Sequence, residues 1–360
     1  MKNKNRLLFW LLGFLLFAQC TKNNVENQRN SREVVDVEGR KVLVPENVER
    51  VIGVNAGAMR FLSYMSAIPN VVGVEEREHV ASRPYNLAFP EIKTKAIIGP
   101  QPGGDEELIL KAQPDVVFWS GYATSKGSAQ GLQDKINIPT ITLKSGELGV
   151  ENDEIYNSLR VIGKTLKKED RAEELISYIK QNMSELQERT KGVEEKNKPS
   201  VYVGGLSFNG SRGLGSTRAN FAPFMLTNAK NVVANLDYGK GYTRAITIDL
   251  EKLIEWNPDY IFIDSDGWLL AQKEIGQNKS LYQTLKAFRN NQVYIIPRYI
   301  NNSTSYDYAI IDAWYVGKVL YPERFKDIDI EEKSKEILEK FYNKKIDLKG
   351  FDLEFKQIEF

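Results

Sequence analysis

One stretch limits the possible architectures more than any other. It runs Asp170-Arg-Ala-Glu-Glu-Leu-Ile-Ser-Tyr-Ile-Lys-Gln-Asn-Met-Ser-Glu-Leu-Gln-Glu-Arg-Thr-Lys-Gly-Val193. Ala172, Leu175, Ile176, Ile179, Met183, Leu186 and Thr190 recur at steps of three and four, one narrow apolar stripe on a charged helix. Asp170 suits the N-cap and Gly192 the C-terminal stop, and neither Pro nor Gly interrupts between them. At 1.5 Å per residue such a helix spans roughly 30–35 Å, about the width of a small domain. Short apolar runs alternate with amphipathic segments on both sides of it. The expected architecture is therefore α/β: two Rossmann-like lobes with parallel sheets, joined by one long rigid α-helix. A continuous helix as the sole crossing resists bending, so only limited motion between the lobes is expected.

The chain is long enough for two cores at 360 residues. Basic and acidic residues number 49 and 48, a balance that argues against nucleic acid as partner. The first residues stand apart. Met1 to Arg6 is basic, and Leu7 to Ala18 is an apolar run too short for a permanent span. It ends at Gln19-Cys20, and Cys20 is the sole cysteine, so no internal disulfide can form. This arrangement resembles a bacterial lipoprotein leader, cut before the cysteine that then carries lipid. It departs from that pattern in Phe17-Ala18-Gln19, which lacks the usual Leu and the small residue before Cys. The expected organisation is a signal peptide (1–19), a polar tether (20–32), an N-terminal α/β lobe (33–168), the interlobe helix (169–194), and a C-terminal α/β lobe with a helical tail (195–360).

Within the N-terminal lobe, Val34 to Pro45 alternates about Glu38-Gly39, as a β-hairpin does. Strands are expected at Arg50–Val54, Val71–Val74, Ala96–Ile98, Asp115–Trp119 and Thr140–Leu143, with helices after Asn55, Asp105, Gly127 and Glu151. The second lobe restarts with strand Ser200–Val203 and a glycine-rich loop, Gly204 to Arg218. Then follow helices Asn220–Thr227 and Asp249–Trp256, strand Tyr260–Ile263, loop Asp264–Trp268, helix Ser280–Phe288 and strand Val293–Ile296. The tail reads as helices Ala309–Tyr321 and Ile330–Tyr342.

The halves share an echo. Asp105, Glu107, Pro114 and Asp115 match Asp249, Glu251, Pro258 and Asp259 at one constant interval. Each first aspartate can cap a helix, each glutamate sits in its first turn, and each Pro-Asp stops it before a buried strand. For one copy, helix-dipole chemistry suffices as an explanation. Two copies in register across the connecting helix favour similar lobes facing each other.

With these residues the sequence resembles the substrate-binding proteins of ABC importers for ferric siderophores, haem and cobalamin, the group with a single rigid helix between lobes. The similarity covers nearly all of the chain after Cys20. It rests on the opening hairpin, Arg50-Val-Ile52, the paired Glu-Pro-Asp units, the connecting helix and Leu320-Tyr-Pro-Glu-Arg-Phe-Lys-Asp-Ile-Asp-Ile330. The resemblance implies iron-type transport: a monomeric, extracytoplasmic lipoprotein that passes a small metal chelate or anionic ligand to an ABC permease and its ATPase. It further implies that Glu107 and Glu251 dock into arginine pockets of the permease, where Arg–carboxylate pairs fix orientation.

A protein of this shape takes its ligand between the lobes, on loops after the strands' carboxyl ends. The candidates are Asn55, Arg60, Arg83, Tyr85, Trp119 and Tyr122 on one side, and Asn209, Arg212, Arg218, Tyr242, Trp268, Arg298 and Tyr306 on the other. Guanidinium forks suit anionic oxygens, and rings pack an organic face. Siderophore, haem, corrinoid and oxyanion all remain open. Gly210 to Thr217 imitates a phosphate loop but has Ser216 where the lysine belongs. Its amides could still form an anion nest. With His79 the sole histidine, no bare metal site, no cofactor and no enzyme are expected. The rival reading is an exported enzyme or chelatase-like protein on the same scaffold, for which paired carboxylates such as Glu75-Glu76 could do acid–base work.

Overall fold

The computed structural model describes residues 31–351 and 353–359, apart from 122–126, 208–209, 211 and 237–245. It opens with the expected hairpin, strands β1 (Ser31–Val35) and β2 (Lys41–Pro45), in which buried Val34 lies opposite buried Val42. In the N-terminal lobe, β3 (Val51–Val54), β4 (Val71–Val74), β5 (Ala96–Ile97), β6 (Val116–Trp119) and β7 (Thr140–Thr142) form a parallel sheet in the order β5-β4-β3-β6-β7. Its crossover helices are α1 (Asn55–Tyr64), α2 (Pro84–Ala88), α3 (Glu106–Ala112) and α4 (Ala129–Ile136). The hairpin shields the β7 edge. Asp36 accepts the Thr142 N–H at 3.1 Å, and Arg40 Nη2 donates to the Thr140 carbonyl at 2.7 Å.

Helices α5 (Asn152–Leu166) and α6 (Glu169–Thr190) lead out of this lobe. The second is the connecting helix, 22 residues long, with Ala172, Leu175, Ile176, Ile179, Leu186 and Thr190 buried as the periodicity requires. Two details differ from expectation. The N-cap is Lys168, so Asp170 sits inside the first turn, where its charge still complements the helix dipole. Asn182 joins the buried face, because it accepts a hydrogen bond there from the Trp314 indole. Gly192, at φ +75°, turns the chain after the helix.

The second lobe contains β8 (Ser200–Gly204), β9 (Ser216–Thr217), α7 (Ala222–Leu226), β10 (Lys230–Asn231), β11 (Ile246–Thr247), α8 (Leu250–Trp256) and β12 (Tyr260–Asp264). It continues with α9 (Trp268–Gln277), α10 (Lys279–Tyr282), α11 (Lys286–Arg289), β13 (Val293–Ile296), α12 (Tyr306–Leu320), α13 (Ile330–Tyr342) and β14 (Lys356–Gln357). The sheet order is β10-β8-β12-β13-β14, with β14 antiparallel and the rest parallel. Four local expectations are corrected. The glycine-rich loop contains β9, which pairs with β11. The loop after β12 runs directly into α9. The helix expected over Ser280–Phe288 is two short ones, since Asn257 Oδ1 accepts the Lys286 N–H and restarts the chain there. Strand β14 was too short and polar to register.

The echoed aspartates acquire a specific task. Asp115 accepts the Glu49 and Arg50 N–H groups at 2.8 Å each, at the start of β3, and Asp259 accepts the Ser200 N–H and hydroxyl at the start of β8. Asp115 thereby pins β3, the central strand of its sheet, and Asp259 pins β8, the neighbour of central β12. Asp105 caps α3 through the Leu108 N–H, whereas Asp249 makes no such side-chain bond. Helices α12 and α13 pack on both lobes. Tyr64 of α1 and Tyr342 of α13 both donate to buried Asp307 of α12, and Arg171 of the connecting helix donates to the Lys340 and Phe341 carbonyls.

Candidate functional site

In each lobe the strand order reverses at one point, between β3 and β6 and between β8 and β12. A crevice opens beyond the carboxyl ends of such strands. At the first point the chain leaves β3 through Asn55, at φ +71°, directly into α1. Gly57, in the first turn of α1, lies against two hydroxyls: a Cβ there would stand 2.2 Å from Ser120 Oγ and 2.8 Å from Ser145 Oγ. Only glycine lets the helix start approach this closely. The Ser120 and Ser145 hydroxyls are 3.3 Å apart.

The second lobe meets them. Ser303 Oγ donates to Ser145 Oγ at 3.0 Å, and the Tyr306 hydroxyl donates to the Gly146 carbonyl at 3.1 Å. Ser303 lies on the approach to α12, whose N-cap is Ser305, and Tyr306 is its first residue. Two helix N-termini, one per lobe, thus converge on three serine hydroxyls. Arg60 lies on α1 and is 1 % exposed. Its Nη2 reaches the Asn301 carbonyl across the lobes at 3.5 Å, while Nε and Nη1 have no hydrogen-bond partner. Its guanidinium stands 5.5 Å from the centroid of the Tyr85 ring. A buried guanidinium, hydroxyls and helix starts gather hydrogen-bond donors at this floor.

Carboxylates border this floor, each already engaged. Glu75, fully buried, accepts the Asn55 N–H at 3.0 Å and the Gly103 N–H at 2.8 Å. Burial pushes its carboxyl up to about 7, against the pull of those two N–H groups. Glu147 pairs with Arg218 across the lobes at 3.0 Å, and Asp266 pairs with Arg298 at 2.6 Å and accepts from Ser207.

The candidate residues divide accordingly. Asn55, Arg60, Arg218 and Tyr306 gather at the floor, and Arg298 stands with Asp266 after β12. Arg212 is exposed in its loop, and Trp268 is half-buried at the start of α9. Tyr85 packs its ring against Arg60 but commits its hydroxyl to Glu78, and Arg83 and Trp119 are engaged within the N-terminal lobe. Arg83 pairs with buried Glu78 at 2.6 Å, and Glu78 also accepts from Tyr85 and Asn86, so this network holds the loop after β4 together. Trp119 packs in the apolar layer with Ile98, Ile109 and Leu132. Tyr122, Asn209, Tyr242 and Cys20 lie outside the described residues. Glu107 and Glu251 are exposed in the first turns of α3 and α8, equivalent places in the two lobes.

The phosphate-loop imitation is turned inward. Leu214 N–H donates to Glu274 at 2.9 Å, and the same carboxylate crowds Gly213, so part of that backbone serves an internal anion. The imidazole of His79 is 2.9 Å from the Lys95 carbonyl. No cluster of three or more metal-ligating side chains occurs among the described residues, and none of their helices is long and apolar enough to cross a membrane. Sequence reasoning missed Ser120, Ser145, Ser303 and Gly57. The available sign was a serine directly after strand β6, which by itself carries little information.

Comparison with known proteins gives a consistent picture. A family model described as "Periplasmic binding protein" matches residues 66–300. The molybdate-binding protein MolA of Haemophilus influenzae is 24% identical over 362 residues, covering 95% of this chain and 97% of its own. The Fe(3+)-citrate-binding protein YfmC of Bacillus subtilis is 27% identical over 352 residues, covering 93% and 95%. Among solved structures, MolA bound to molybdate superposes with a TM-score of 0.68 at 21% identity, covering 88% of this chain and 99% of that one. At that identity the likeness establishes the two-lobe fold.

Proposed function

The chain belongs to the periplasmic binding protein family, the extracytoplasmic substrate-binding proteins of ABC transporters, and we propose that it captures an anionic, oxygen-rich metal complex between its lobes and hands it to an ABC permease. One observation carries this reading. The place where the lobes meet is lined by donors from both of them: Ser120, Ser145 and Arg60 from one, Ser303 and the start of α12 from the other. An anion bound there bridges the lobes. Two relatives support the class of ligand, since one is named for molybdate and the other for Fe(3+)-citrate, both anions rich in oxygen. A ferric siderophore or another anionic chelate fits the same chemistry. Haem and corrinoid fit less well, because Tyr85 and Trp119, the rings expected to pack a flat face, are buried in the N-terminal lobe. The site offers donors to an anion and no assembled nucleophile and base among the described residues, which favours binding over catalysis.

Native mass spectrometry with metal analysis, on protein purified from its own host, tests this reading. The expected result is one bound metal-containing anion per monomer. Protein carrying only a neutral organic molecule, or emerging without ligand, overturns it.

The remaining assignments complete the proposal. Residues 33–168 and 195–360 form the lobes joined by 169–194, and Glu107 and Glu251 face the permease. Cys20 carries lipid and anchors the chain to the membrane through the tether. Labelled palmitate then enters the wild type and not Cys20→Ser; incorporation into the variant removes the anchor.

A further inference from the structure

The cleft floor has more internal order than a loose gathering of donors. Ser303 donates its proton to Ser145, and Ser145 stands 3.3 Å from Ser120, so the three hydroxyls form a relay that crosses from one lobe to the other. Each hydroxyl carries one proton and either partner can donate in the Ser120–Ser145 bond, so one of these two serines keeps a proton to offer a ligand. Ser120 lies against the first turn of α1, a helix of 10 residues, through the contact that excludes any side chain at Gly57. The opposite end of the relay lies two residues before the N-cap of α12, a helix of 15 residues.

Two further groups keep buried donors without a hydrogen-bond partner. Arg60, 1 % exposed, leaves Nε and Nη1 without partners while Nη2 reaches the Asn301 carbonyl beside Ser303. Ser305, also 1 % exposed, is the N-cap residue of α12 and its hydroxyl makes no hydrogen bond to the protein. Buried donors left this way are costly unless something accepts from them. The neighbouring carboxylates accept from other groups: Glu75 holds two amides, Glu147 holds Arg218, Asp266 holds Arg298, and buried Asp307, whose charge acts on Arg60, accepts from Tyr64 and Tyr342.

We propose that Ser120, Ser145 and Ser303, with Arg60 and the α12 N-cap at their side, form an oxyanion subsite that holds anionic oxygens of the ligand directly. This rests on the receptor reading above and specifies where its ligand is gripped. The same chemistry is offered by a free tetrahedral oxyanion and by the outer oxygens of a carboxylate chelate of iron.

Calorimetric titration of the full chain with molybdate, with Fe(III)-citrate and with citrate alone distinguishes these sources. Binding of molybdate identifies a free oxyanion, and binding of Fe(III)-citrate but not citrate identifies a chelate. In either case Ser145→Ala and Ser303→Ala weaken binding about tenfold or more, as loss of a hydrogen bond to a charged group does. Ser145→Thr, which keeps the hydroxyl, stays within a few-fold of wild type. Melting temperatures of all three variants establish that each is folded. Unchanged affinity in both alanine variants overturns the subsite, as does failure of all three probes to bind wild type. If the alanine variants still carry the native metal-containing anion when purified from the host, the subsite falls and the receptor reading stands.

Discussion

The Trp314 indole donates to Asn182 Oδ1 at 2.9 Å, with both side chains buried, and so fastens helix α12 to the connecting helix. Arg189 and Lys333 lie over the same ring, 5.3 and 4.6 Å from its centroid. An amide on the apolar stripe of α6 is thus explained by its partner on the tail.

Removing that amide leaves a buried indole N–H unsatisfied. Asn182→Ala is expected to lower stability by about 1–3 kcal/mol, read from urea unfolding. Combining it with Trp314→Phe, which removes the orphaned donor as well, should cost less than the sum of the single changes. Strict additivity contradicts the coupling.

Glu75 makes stability depend on pH. Its carboxyl is raised from 4.5 to about 7 by burial, so the folded state favours the protonated form. The associated stabilisation is complete below about 4.5 and is lost as pH rises through about 7. Glu75→Gln stays neutral and is expected to show a shallower loss of melting temperature between pH 5 and 8 than wild type. At pH 8 the variant gains on the order of 2 kcal/mol relative to its position at pH 5. Parallel pH profiles would assign the titration to other groups.

Glu107 and Glu251 separate docking from capping. Both are exposed at helix starts, and a dipole partner there contributes about 0.3–1 kcal/mol to stability. The double alanine variant is expected to keep its ligand affinity and most of its melting temperature while losing ligand uptake through the permease. Normal uptake with only a lowered melting temperature would reduce the pair to caps.

Much of the scaffold could be read in advance because it follows from periodicity and punctuation. Strand β13 and helix α13 occupy the residues expected of them, and the N-cap of the connecting helix lies two residues before the expected Asp170. The echo of Asp115 and Asp259 was visible, but their task of pinning β3 and β8 is a tertiary contact that no local pattern encodes. Arginine and aromatic residues after strands looked like ligand contacts. Arg83 and Tyr85 instead satisfy buried Glu78, a partner close in sequence whose burial no pattern announces. The serines of the floor were invisible for the opposite reason: a hydroxyl is unremarkable until two lobes bring three together.

The central claim is that this chain delivers a captured anion to an ABC permease. The most direct measurement is ATP-driven uptake into proteoliposomes holding the permease and its ATPase, using the ligand found on the protein purified from its host. The account predicts uptake that requires this chain and falls strongly with Ser145→Ala. Equal uptake with the chain omitted would contradict it.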